Sequence, residues 1–132
     1  MAKKYLLDPH APRPVKAPFA MGVQVGETIY VSGHVSQDKG GNVVGAGDMA
    51  AQTRQVFKNI EEVLAEAGAS MEDVVKITTY ITDMSRYAEF SAVRGEVFPN
   101  AGMASATVSC SDLVRPEFLV EVETIAVKGS GD

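Results

Sequence analysis

The stretch Phe118-Leu119-Val120-Glu121-Val122-Glu123-Thr124-Ile125-Ala126-Val127 decides how the rest of this chain is read. β-Branched residues dominate it, and its polar and apolar positions fall into the period of two that marks a strand. Phe118, Val120, Val122, Thr124 and Ala126 lie on one side; Leu119, Glu121, Glu123, Ile125 and Val127 lie on the other. Both sides are largely apolar. A sheet with one wet face shows cleaner alternation, so this strand is expected to be covered twice. Glu121 and Glu123 then sit roughly 7 Å apart at Cβ on a greasy surface. A carboxylate there is costly unless paired, and its pKa rises, which suits a general acid or base. A structural ion pair with Lys76 or an arginine across the sheet is the other reading.

Working back along the chain, Ala104–Cys110 predicts a further strand, joined to the last by the connection 111–117. Tyr87, Phe90, Val93 and Val97 form the stripe of a helix that begins near Ser85 and ends before Pro99. Val74–Thr82 predicts a strand with Val75, Ile77, Thr79 and Ile81 on one face and Val74, Lys76, Thr78, Tyr80 and Thr82 on the other. A longer helix runs from the N-cap Asp48 to about Ala67, with Val56, Ile60, Val63 and Leu64 inward and Gly68 closing it. Residues 19–25 and 27–33 predict a hairpin turning at Gly26-Glu27, and Val43-Val44 a short extra segment. The order ββ-(β)-α-β-α-β-β lacks regular βαβ alternation, so the class is α+β. Two helices cover one face of a sheet of five or six strands. The mixed second face points to a partner subunit, and so to an oligomer; a monomer with a partly greasy sheet is the alternative.

At 132 residues the chain is expected to be one domain, 1–132, with a core at about 17–127 and a frayed tail at 129–132. Hydrophobic residues make up 45% and charged residues 22%, as in globular proteins. No apolar run is long enough for a bilayer. Asp8, Pro9 and His10 interrupt the basic, briefly apolar start, which favours the cytoplasm over export. The single cysteine, Cys110, excludes an intrachain disulfide and fits a reducing compartment. A net charge of −5 without basic runs lacks the footprint of a nucleic-acid binder.

Few other residues carry chemistry. Ser32-Gly33-His34 ends a hairpin strand, where glycine admits a ligand close to the backbone and serine donates a hydrogen bond. Histidine as a residue type ordinarily titrates near neutrality, so His34 is a candidate for proton transfer, although a histidine at a strand end also serves structurally. Neither histidine nor Cys110 shows metal-ligand spacing, and Gly40-Gly41 and Gly45-Ala46-Gly47 lack the following Lys-Ser/Thr of a phosphate loop. No metal or cofactor is expected.

In sequence order, Ala17-Pro18-Phe19, Ile29-Tyr30-Val31-Ser32-Gly33, Ala51-Gln52-Thr53-Arg54-Gln55 with Asn59-Ile60, Ala67-Gly68, Val74-Val75-Lys76-Ile77-Thr78, Ile81-Thr82-Asp83 and Glu121-Val122-Glu123-Thr124-Ile125-Ala126 resemble the RidA/YjgF family of reactive-intermediate deaminases. The resemblance spans roughly 17 to 127. It implies a chorismate-mutase-like fold, a mixed sheet backed by two helices, with three copies forming a barrel and clefts between subunits. Many members hydrolyse small enamines or imines without cofactor.

Carried over by position, the resemblance makes Glu121 the water-positioning glutamate and Ser32-Gly33 the strand-end pair. Phe19 stands at a tyrosine position, Ser91 where asparagine is frequent, and His34 where glutamine is frequent. Met103-Ala104-Ser105-Ala106-Thr107 departs from Pro-Ala-Arg-Ser/Thr, so Ser105 replaces the arginine that holds a substrate carboxylate. A neutral hydroxyl gives no bidentate, charge-assisted contact. Losing one weakens binding by roughly 2–5 kcal/mol where the charge is left buried and unpaired. Arg94, one helical turn from Ser91, and Arg115, before the last strand, are candidate substitutes. The expected function is a cofactor-free hydrolase acting on a small metabolite in an inter-subunit cleft, with altered specificity. The alternative is a non-catalytic trimeric small-metabolite-binding or chaperone-like protein. Neither nucleic acid nor membrane is an expected partner.

Overall fold

In the computed structural model, which describes residues 1–6, 20–100 and 102–131, the chain's last strand lies inside the sheet. The elements are β1 (Lys4–Leu6), β2 (Gly22–Val25), β3 (Thr28–His34), α1 (Met49–Glu66), β4 (Val74–Ile81), α2 (Tyr87–Val97), β5 (Ala104–Ser109) and β6 (Val120–Val127). Six strands form one sheet in the order β1-β2-β3-β6-β4-β5. Only β4 and β5 run parallel; every other neighbouring pair is antiparallel. The mixed α+β architecture with two helices is the one expected.

Local chemistry sets the helix ends. The Asp48 carboxylate accepts from the Ala51 N–H at 3.0 Å, satisfying one donor of the first turn of α1. At the other end Gly68 has φ of +74°, which lets Ala69 and Gly68 donate back to the carbonyls of Leu64 and Ala65. Glycine takes that conformation without a Cβ penalty. The inward face of α1 buries Met49, Val56, Ile60, Val63 and Leu64. It meets Ile29 and Val31 of β3, Ile77 and Ile81 of β4, Phe90 and Val93 of α2, and Val120, Val122 and Ala126 of β6. Each such side chain taken from water contributes roughly 1.5–3 kcal/mol before chain entropy is counted. β6 therefore anchors the core with one side only. Its other side joins Tyr30, Lys76, Thr78, Tyr80 and Val108 on a face that no helix covers.

Three details differ from the sequence expectation. A short N-terminal strand, β1, pairs with β2 through Lys4, Tyr5 and Leu6. The segment at Val43 makes only an isolated bridge to Gln37. On β4, Val74 rather than Val75 joins the core, because the register slips between Val74 and Lys76. One extra residue in a strand reverses the parity of everything before it. Near the C-terminus, Ser130 and Gly131 donate hydrogen bonds to Asp73 at 3.3 and 3.0 Å.

Gln52 ties the helix to the entrance of β6. Its buried carboxamide donates to the carbonyls of Gly45 and Glu117 at 3.1 and 2.8 Å and accepts from Leu119 N–H at 2.8 Å. Replacing it with leucine leaves these backbone groups unpaired, at a cost of about 3 kcal/mol. Urea unfolding of Gln52→Leu should show that loss as a lower midpoint with an unchanged slope; an unchanged midpoint would refute the clasp.

Candidate functional site

Where β3 meets β6 the pairing is irregular. Val31 opposes Thr124 and His34 opposes Val122, so Ser32 and Gly33 together face Glu123. This bulge brings the Gly33 backbone against the Glu121 carboxylate, into the space any Cβ at position 33 would occupy. With its present placement, the Glu121 carboxylate uses the space that the absent side chain of Gly33 leaves, and a larger residue there would displace it. Ser32 is fixed by its own bonds: its hydroxyl donates to the Ala20 carbonyl at 2.6 Å and its N–H to that of Met21 at 2.9 Å.

Glu121 is half-buried, and Tyr80 of β4 lies directly across from it. The Tyr80 hydroxyl donates to Glu123 at 2.8 Å. Neither glutamate forms an ion pair among the described residues, so the structural pairing with Lys76 or an arginine is not made. Burial raises the pKa of Glu121 above the ordinary carboxylate range, and the charge of Glu123 raises it further. The Tyr80 phenol is also raised, first by its bond to Glu123. His34 is buried and shares its side of the sheet with Val122, so it stands behind the bulge rather than beside Glu121.

A second cluster forms where α2 packs over the parallel edge strand. Tyr87, Ser91 and Arg94 share one face of α2. Arg94 donates to Tyr87 Oη at 2.8 Å, to Ser91 Oγ at 3.2 Å and to Ser105 Oγ at 3.2 Å. Its guanidinium rests 5.6 and 5.2 Å from the ring centres of Tyr87 and Phe90. The bond from Arg94 lowers the Tyr87 pKa. Met84, Tyr87, Arg94, Ser105 and Thr107 line an open cavity of about 660 Å³.

The two clusters lie on opposite faces of the sheet. Ser105 is in register with Ile77, which points to the helices, whereas Glu121 is in register with Tyr80, three residues on and facing away. One copy of the chain therefore does not bring Glu121, Ser32 and Gly33 together with Ser91, Arg94 and Ser105. Arg115 is paired with Glu117 at 3.4 Å and lies over the Phe118 ring. Phe19 lies outside the described residues. Sequence reasoning overlooked Tyr80 and Tyr87 as site partners. The helical spacing of Tyr87, Ser91 and Arg94 was a usable signal; the register that sets Tyr80 beside both glutamates left none. Among the described residues no group of three or more His, Cys, Asp or Glu could hold a metal ion, and no helix is long and apolar enough to cross a membrane.

Comparison with known proteins gives one family. The model described as Endoribonuclease L-PSP matches residues 9–128. A RutC family protein of Pyrococcus abyssi is 37% identical over 128 residues, covering 97% of this chain and 99% of that protein. Among solved structures, the Rid-family protein YyfA of Yersinia pestis superposes with a TM-score of 0.88 at 31% identity, covering 96% of this chain and 99% of its own. TdcF of E. coli, with bound serine, gives 0.86 at 25% identity with the same coverage. This chain belongs to the Endoribonuclease L-PSP family, the RidA/YjgF group of small-molecule-acting proteins.

Proposed function

We propose that three copies of the chain assemble in the cytoplasm with the open sheet face of one against the α2–β5 rim of the next, and that the clefts so formed hydrolyse a small imine or enamine without cofactor. The observation that carries this reading is Glu121, a half-buried carboxylate without an ion pair among the described residues, fitted into a backbone gap at Gly33 on an uncovered face. In the proposed step the ionised carboxylate takes a proton from water as the oxygen bonds to the C=N carbon. The nitrogen gains a proton, the C–N bond of the carbinolamine breaks, and ammonia and a carbonyl compound leave. An enamine enters the same route after protonation at carbon. Ser32 and the Gly33 backbone orient the substrate from one copy, Ser91 and Ser105 from its neighbour, and His34 steadies the bulge from the core side. Serine bound to TdcF supports a ligand of amino-acid size for this fold. A charge of −5 argues against a polyanionic RNA substrate.

Light scattering should give the mass of a trimer, and a stable single protomer would remove the shared cleft. Freshly generated 2-imino acids should release ammonia and oxo acid. With Ser105 in place of arginine, 2-iminopropionate and 2-iminobutyrate should turn over more slowly than bulkier analogues. Glu121→Gln should lower the rate about 100-fold or more, and an unaltered rate on every substrate would dismiss the carboxylate from the chemistry. Binding of small carboxylates without any turnover would support the alternative of a binding module.

The pH profile follows from the raised pKa. Glu121 must be ionised to act as a base, so activity should fall on acidification at a higher pH than an exposed glutamate would give. Glu123→Gln removes the neighbouring charge and should move that limb to lower pH. Stability has the opposite sign. A folded-state pKa raised above the unfolded value stabilises the fold while the group is protonated and loses that stabilisation as pH rises through it. Thermal unfolding should therefore show Glu121→Gln gaining at pH 8 but not at pH 4, and equal midpoints at both values would contradict the desolvation.

A further inference from the structure

Arg94 is held in place, yet its charge is unanswered. Its three hydrogen bonds all go to neutral hydroxyls, those of Tyr87, Ser91 and Ser105, and two aromatic rings lie against it. Among the described residues it has no carboxylate partner. Arg54, Arg86 and Arg115, by contrast, are paired with Glu96, Glu89 and Glu117. A guanidinium carries five N–H donors, so three bonds leave donors for a ligand. Tyr87 and Ser105 accept from Arg94 through oxygen and keep their own protons to donate. The group borders an open cavity of about 660 Å³.

We propose that Arg94, carried on α2 and braced by Tyr87, Ser91 and Ser105, is the anchor for a carboxylate on the substrate. One cation with no second unpaired arginine beside it among the described residues matches a monoanion better than a phosphate. The charge enters from the helix, so the strand position beneath it is left to a small serine. That leaves space over β5 for a substrate side chain, which accords with a preference for bulkier acids. This deepens the hydrolase reading and rests on it for the role of Arg94 in turnover; the binding of an anion is separable.

The test is calorimetric titration of the intact protein, in its native assembly at low salt, with 2-oxobutanoate, its uncharged amide and inorganic phosphate. The wild type should bind the acid more tightly than either control, and Arg94→Gln should weaken the acid about 30-fold or more while leaving the amide within twofold. Arg94→Lys, which keeps charge but loses the fork, should fall between. Thr107→Asp leaves Arg94 intact and sets a competing carboxylate in the cavity, so it should block the acid even if Arg94→Gln folds poorly. Unchanged acid affinity in Arg94→Gln or Thr107→Asp, equal losses of acid and amide, or tighter binding of phosphate would each overturn the proposal. If the wild type turns over no imine or enamine while Arg94→Gln loses the acid, the hydrolase reading falls and the anchor stands. The reverse pattern removes the anchor and keeps the hydrolase.

Discussion

Everything in this molecule depends on β6 being threaded last between β3 and β4. A central strand must satisfy two ladders at once, and its side chains must serve two environments in strict alternation. Val120, Val122 and Ala126 point into the core under the helices. Glu121, Glu123 and Ile125 have no helix above them. The same eight residues thus hold the fold together and present a carboxylate whose pKa burial raises. Sliding β6 by one position would bury both glutamates in the core and expose the valines, a far greater cost than any local distortion. Register and site are the same constraint.

The irregularity between β3 and β6 fits that view. A regular ladder would set a side chain beside each carboxylate. The extra residue at Ser32-Gly33 opens a place for Glu121 while Val31 and His34 stay on the core side. Burial and the neighbouring charge then act together on the carboxyl group, and the Tyr80 hydroxyl holds Glu123 in a fixed position. The Gln52 clasp fixes the start of the strand, so that the carboxylates inherit their position from α1.

Much of this was legible in the residues. Both helices carry clear stripes, Asp48 and Gly68 mark the ends of α1, and the Glu121–Glu123 pair stands out against its apolar flanks. Other features were not, for reasons that are local. A three-residue strand such as Lys4–Leu6 is too short to show a period. The slip before Lys76 has no residue signature, and it moves Val74 and Val75 to the faces opposite those expected. Gln52 resembles any polar helix residue until the fold sets a carbonyl on each side of it. The substitution at Ser105 read as a lost charge. That an arginine on α2 reaches the same serine depends on how the helix packs over the edge strand, which no spacing reveals.

The rims of the sheet are unequal. β1 is three residues long and carries Lys4, a poor surface for another strand to join. β5 is twice that length, contains only Ala, Ser, Thr and Val, and among the described residues has a hydrogen-bonding neighbour on one side only. Its outer amides are a template for strand addition. In a lone protomer β5 is therefore the edge at which a further strand could add, and the assembly proposed above would cover that rim.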